Sequence, residues 1–204
     1  AQALGGRGLD MIHRVQRAHY EEGRRIADVP VLRELAAEIG HGAVAIEADM
    51  SSTDGWKGAA EGALKALGDI DILVNNAGSA PGGVIETLTE ADWEKGLQLK
   101  FMGYVRCLRH ALPIMVKQGG GRVVNLIGND GVKPSYWEIA PGAANAAGQA
   151  ASDAATAATG DGGGSGTVVS TLSVANFLVP WNVATASGSS PSSAILGLSM
   201  AVAK

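Results

Sequence analysis

The residues able to do chemistry gather in a few short segments of this 204-residue chain. The apolar run Asp71–Asn75 continues into Asn76-Ala77-Gly78. A buried strand that stops in two asparagines and a glycine offers side-chain amides and open backbone at the strand's carboxyl end, where parallel sheets hold a dinucleotide. Read blandly, the same residues are an Asn-Gly turn. Near the start of the chain, Gly5-Gly6-Arg7-Gly8 offers backbone N–H groups of the kind that approach phosphate at a helix N-terminus, although taken alone it reads as ordinary loop. Further on, Asn129-Asp130-Gly131 and Tyr136-Trp137-Glu138 bring amide, carboxyl and phenol groups together. Asp130 equally suits a turn before Gly131, and Tyr136 with Trp137 equally suits core or lid packing. The four histidines (His13, His19, His41 and His110) lack ligand spacing, and the single Cys107 can form neither an internal disulfide nor a cysteine-based metal site. No metal centre is expected.

Alternating elements must position these groups. Met11 to about Arg25 carries Ile12, Val15 and His19 on one helical face, after a glycine-rich loop. Ala27-Asp28-Val29 starts like a strand until Pro30 cuts it off, and Leu32, Leu35, Ala36 and Ile39 then repeat at helical spacing. Val44 to Asp49 reads as a strand, and Trp56, Ala60, Ala63, Leu64 and Leu67 form one apolar helical face. The run 71–75 does not alternate, as expected for a strand covered on both faces. Thr89 and Asp92 approximate a capping box at the head of a helix running towards Lys117, which Pro113 should bend or shorten. Gly119-Gly120-Gly121 ends that helix. Arg122–Ile127 is a further buried-type strand, residues 142–159 suit a closely packed helix of small side chains, and Thr167–Leu172 is the last clear strand. Strands alternating with helices of this length predict an α/β fold with a doubly wound parallel sheet.

Composition narrows the function. Apolar residues make up 46% and charged residues 18%, and the net charge is −4, so there is no basic footprint for nucleic acid or anionic lipid. The longest clean apolar run, Ala194–Ala203, is too short to cross a bilayer, which takes about 20 residues. With no signal peptide ahead of the first helix and one cysteine, a reducing, cytoplasmic compartment is expected. Fifteen of the sixteen Lys and Arg lie at or before Lys133, and residues 142–165 hold eighteen Ala, Gly or Ser in twenty-four. The C-terminal third is therefore poor in functional signals. One domain over residues 1–204 is expected from the length.

Asp69-Ile-Asp-Ile-Leu-Val-Asn-Asn-Ala-Gly78 closely resembles the segment after the fourth strand of the short-chain dehydrogenase/reductase family. Ala48-Asp49 is similar to that family's adenine-contacting acid, Trp93–Met115 to its long interface helix, and Gly121–Ile127 to its fifth strand. The resemblance covers about 110 residues and implies a Rossmann-type fold binding NAD or NADP. It places Asp49 and Met50 at the adenine end and Asn76, Ala77 and Gly78 along the dinucleotide. Gly6 and Gly8 become the remains of the phosphate loop, with residues missing before Gly5. Leu4 and Asp10 depart from that loop's glycines, and no residue after Val29 selects NAD over NADP.

By the same resemblance the four catalytic positions are all substituted. The serine position falls on Gly128, the tyrosine on Pro141, the lysine on Asn145 and the helix asparagine on Lys100. Nearby residues are candidate replacements. Asn129 can donate an amide to a carbonyl oxygen, Tyr136 can serve as the acid with Lys100 or Lys133 lowering its pKa, and Asp130 can join them. The implied function is an NAD(P)-dependent oxidoreductase acting on a CH–OH/C=O pair of a small molecule. Family members assemble through the counterparts of residues 90–117 and 142–159, so a homodimer or homotetramer is expected. The alternative is a catalytically degenerate dinucleotide-binding protein with a binding or regulatory role. A third reading is a lyase or isomerase with Asp130 or Glu138 as base.

Overall fold

In the computed structural model, residues 7–26, 28–40, 44, 46–159 and 167–174 are described. Where the sequence reads as one domain, the chain divides after Glu47 into two compact units.

The first unit holds α1 (Arg7–Tyr20) and α2 (Val29–Glu38), packed around Ala18, Leu35 and Ala36. Helix α1 starts earlier than its apolar spacing predicts and ends before Gly23, whose φ of 65° marks a chain reversal open to glycine. Gly8 consequently lies in the first turn of α1 and not in a loop, whereas Gly6 falls outside the described residues. Pro30 sits at the start of α2, where its missing N–H costs no helical hydrogen bond. Arg14 ties the pair from Nε to Glu38 of α2 at 2.5 Å, and its Nη1 holds Glu22, just after α1, at 2.9 Å.

The second unit carries the sheet. Helix α3 (Thr53–Leu67) begins with Ser52 accepting the Gly55 N–H at 3.0 Å and buries Trp56, Ala59, Ala60 and Ala63. Strand β1 (Ile72–Asn75) follows, and then α4 (Glu90–Gly96), opened by a full capping box between Thr89 and Asp92. One π-helical turn, Leu97–Phe101, joins α4 to α5 (Met102–Lys117), which continues through Pro113 to the predicted end. Strand β2 (Gly121–Gly128), a 3₁₀ turn (Asn129–Gly131), α6 (Ile139–Thr159) and β3 (Thr167–Val174) complete the described elements. The strands run parallel in the order β1-β2-β3. Helix α5 packs across all three, and α6 packs on β2 and β3.

Two expectations are corrected. The described residues of 44–49 form no strand: they have no ladder partner among the described residues, and an extended chain without one is a loop. Burial also alternates along β1 and β2 instead of covering both faces. Leu73, Asn75, Val123, Asn125 and Ile127 are buried, with Gly148 and Ser152 of α6 against that face, while Ile72, Val74, Val124 and Leu126 are half-buried. Among the described residues no helix is long and apolar enough to cross a membrane. None of the His, Cys, Asp and Glu clusters among them could hold a metal ion.

Candidate active site at the carboxyl ends of the strands

Asn75 and Asn125 are register partners on β1 and β2. Asn75 Nδ2 donates to Asn125 Oδ1 at 2.7 Å, and Asn125 Nδ2 donates to the Ser152 hydroxyl of α6. All three side chains are buried. An unpaired amide there would cost about 1–3 kcal/mol, so this chain fixes how β1 ends. The backbone leaves the sheet at Asn76-Ala77-Gly78, with Asn76 and Gly78 exposed. Farther along, the Gly83 N–H donates to the Trp137 carbonyl at 2.7 Å, tying this loop to the segment before α6.

Met50, Asn76 and Ala77 line one small cavity together with Gly103, Tyr104 and Cys107. Its volume of about 20 Å³ suits a single water. Beside Met50, the exposed Asp49 accepts the Ser51 hydroxyl at 2.6 Å and the Ser51 N–H at 2.9 Å, both on Oδ1. Those bonds hold the Asp49 carboxyl below its usual range and leave Oδ2 available to a ligand. Behind the cavity, the Trp56 indole stacks on His110 and donates to the Cys107 sulfur. Burial pushes the Cys107 thiol up to about 12, so it is inert.

Lys100 lies in the π-helical turn, a local widening of the helix that frequently marks functional sites. Its Nζ donates to the Leu126 carbonyl at 2.9 Å and to the Tyr104 hydroxyl at 3.1 Å, and that hydroxyl donates to the same carbonyl at 2.6 Å. Burial pushes the Lys100 amine below its usual range, and attraction to Asp130 offsets part of that. Burial raises the Tyr104 phenol. A Cβ on Gly78 would overlap the Lys100 stem, so glycine at that position is what lets the loop lie on this side chain.

At the end of β2, Asp130 is only 4% exposed. Asn145 Nδ2 donates to its Oδ1 at 2.9 Å, and Asn145 Oδ1 accepts the Gly128 N–H at 2.9 Å. A Cβ on Gly128 would overlap the Asp130 carboxyl. The carboxyl therefore fills the place that a side chain at 128 would occupy. Asn129 is half-buried, and its carbonyl accepts the N–H groups of Val132 and Lys133 at 3.0 and 2.8 Å.

The structure thus brings together two sets of the predicted residues: Met50, Asn76 and Ala77 around the cavity, with Asp49 adjacent, and Gly78, Lys100 and Asp130 beside them. Tyr136 stands apart. It is 73% exposed and meets Trp137 edge to face, while Lys100 is directed at Tyr104. Sequence reading missed Tyr104, although its place four residues after Lys100 on one helix face was the available signal.

Residues 23–163 match the family model described as short chain dehydrogenase. The chain is 35% identical over 107 residues to an uncharacterized oxidoreductase of Schizosaccharomyces pombe, covering 52% of this chain and 41% of that protein. It is 30% identical over 129 residues to a protein of Rhizobium meliloti named as a probable galactose dehydrogenase, covering 59% and 50% respectively. The chain thus spans about half the length of these relatives or less. An NAD+-bound xylitol dehydrogenase structure superposes with a TM-score of 0.67 at 23% identity, over 72% of this chain and 56% of that one.

Proposed function

The chain belongs to the short-chain dehydrogenase family, and on that premise we propose that it is an NAD(P)-dependent oxidoreductase acting on a CH–OH/C=O pair of a small molecule. The observation that carries this reading is the convergence, at the carboxyl ends of β1 and β2, of an open asparagine-glycine loop with a half-buried lysine and a buried carboxyl group. The residues present fit a dinucleotide. Asp49 Oδ2 and Met50 serve its adenine end, and Asn76, Ala77 and the bare backbone of Gly78 lie along its path. Bound there, the nicotinamide supplies or accepts hydride.

Protons are this chain's own task. Asp130, oriented by Asn145, takes or returns the proton of the substrate oxygen, and Lys100 acts on the Asp130 carboxylate through its charge. Asn129 donates its amide to that oxygen. Tyr136, exposed beside Trp137, contacts substrate at the rim. Long helix α4–α5 and helix α6 form the contacts of a homodimer or homotetramer burying at least about 1,000 Å² per interface.

A second reading, dinucleotide binding without turnover, is favoured by one observation: the Asn145 amide is held between the Gly128 N–H and the Asp130 carboxyl, and an amide supplies no ammonium at that position. Absorbance assays of NADH and NADPH consumption or formation with a panel of sugars, sterols and short alcohols and ketones separate the two. Turnover of any member supports the oxidoreductase, and binding with no turnover across the panel overturns it.

A further inference from the structure

The π-helical turn between α4 and α5 is closed by a side chain from farther along the same helix. The Met102 N–H reaches the Leu97 carbonyl, five residues back. In an α-helix it would take the Gln98 carbonyl, four residues back. That carbonyl instead accepts Arg106 Nη1 at 3.0 Å, and Arg106 Nη2 donates to Gln98 Oε1 at 2.6 Å. A planar guanidinium presents its donors as a fixed fork, so one arginine serves both oxygens of one residue. Helical side chains lean towards the helix N-terminus, which carries position 106 back over the turn. The extra residue in the turn offsets the face of α4 from that of α5 by about 100°. Lys100 lies within it, with Nζ bonded to the Leu126 carbonyl at 2.9 Å and to the Tyr104 hydroxyl at 3.1 Å, and with the bare backbone of Gly78 against its stem.

We propose that Arg106 and Gln98 clamp this π-helical turn, which makes Arg106 a positioning residue for Lys100. The guanidinium supplies the donor that the widened turn withholds from the Gln98 carbonyl. Without it that carbonyl regains a partner by drawing in the Met102 N–H. The turn then closes to α-helical form, and the Lys100 stem rotates away from the end of β2. Two acceptors on one residue, met by two donors of one guanidinium, make the clamp a pairwise device rather than general packing. The inference rests on Lys100 belonging to the site. Its test reads the lysine itself and needs no turnover, so its failure is distinct from failure of the redox reading.

The test is solution NMR of the lysine ammonium groups of the full chain in mildly acidic buffer, where lysines are protonated. The Lys100 signal is identified by its loss in Lys100→Met. In the unaltered chain its protons should exchange with water at least about tenfold more slowly than those of the exposed Lys57, Lys65 and Lys95, because Lys100 is half-buried and bonded to two acceptors. Arg106→Met should speed that exchange at least about fivefold and leave the exposed lysines unchanged as internal reference. Gln98→Ala, which keeps only the carbonyl, should speed it about threefold, whereas Gln98→Glu keeps both acceptors and should stay within about twofold of the unaltered chain. The Gln98 pair gives the answer even if Arg106→Met fails to fold. Slow Lys100 exchange retained in Arg106→Met or in Gln98→Ala overturns the proposal. So does an equal rise at the exposed lysines, or fast Lys100 exchange in the unaltered chain.

Discussion

The ends of β1 and β2 sit side by side in one sheet and solve the same problem by different means. At the end of β1 the backbone leaves the sheet as an exposed Asn-Ala-Gly loop, held from beneath by the Asn75–Asn125–Ser152 chain. Its chemistry is that of bare backbone and amides. At the end of β2 the strand stops in a glycine, and the vacant place is filled from two residues on by Asp130, pinned by Asn145 from α6. A function carried by local backbone leaves a contiguous motif, whereas one assembled from a strand end, a 3₁₀ turn and two helices does not.

The largest expected effect falls on the β2 end. Asp130→Asn preserves the shape and removes the proton acceptor, so turnover should fall by about 10²- to 10⁴-fold while cofactor affinity stays within about threefold. Tyr136→Phe, at the rim, should cost less than about tenfold. The reverse ranking in steady-state assays would move proton transfer from the strand end to the loop. On the structural side, a Cβ on Gly131 would stand 2.7 Å from the Ala146 nitrogen and 2.9 Å from the Asn145 carbonyl carbon, both backbone atoms with little freedom to yield. Gly131→Ala should therefore destabilise by about 3 kcal/mol in urea unfolding. At the β1 end, Asn75→Ala leaves Asn125 Oδ1 without its donor and should cost about 2 kcal/mol in the same measurement. Equal costs well under these values would mean that neither end is rigidly built.

How much of this was legible follows from the same contrast. The run 71–78 showed itself through contiguous apolar residues and a glycine, and Thr89 with Asp92 showed the head of α4, because strand ends and caps are local devices. Val44–Asp49 misled, since its apolar residues suit a strand, but a strand exists only with a partner and the described residues of that segment have none among the described residues. Gly8 misled in the opposite sense, being drawn into α1. The Asp130–Asn145 and Lys100–Leu126 contacts join residues 15 and 26 positions apart, and no spacing rule within one element reveals them.

A smaller effect separates Lys100 from the exposed lysines. Its folded-state pKa lies below the unfolded value of 10.5, so between the two the unfolded chain binds more protons and stability rises with pH. Below the folded-state pKa that contribution is absent. Urea unfolding from about pH 7 to about pH 10 should show this rise, and Lys100→Met should flatten it. An unchanged slope would show that Lys100 is as solvated as the other lysines.

The central claim is that the loop after β1 holds a nicotinamide dinucleotide, and fluorescence titration with NADH and NADPH tests it most directly. At least one of the two should bind with a Kd below about 1 mM, or about −4 kcal/mol. Gly78→Val, whose side chain collides with the Lys100 stem beneath the loop, should weaken that binding by at least tenfold, about 1.4 kcal/mol. Failure of both dinucleotides to bind the unaltered chain below millimolar concentration would contradict the account.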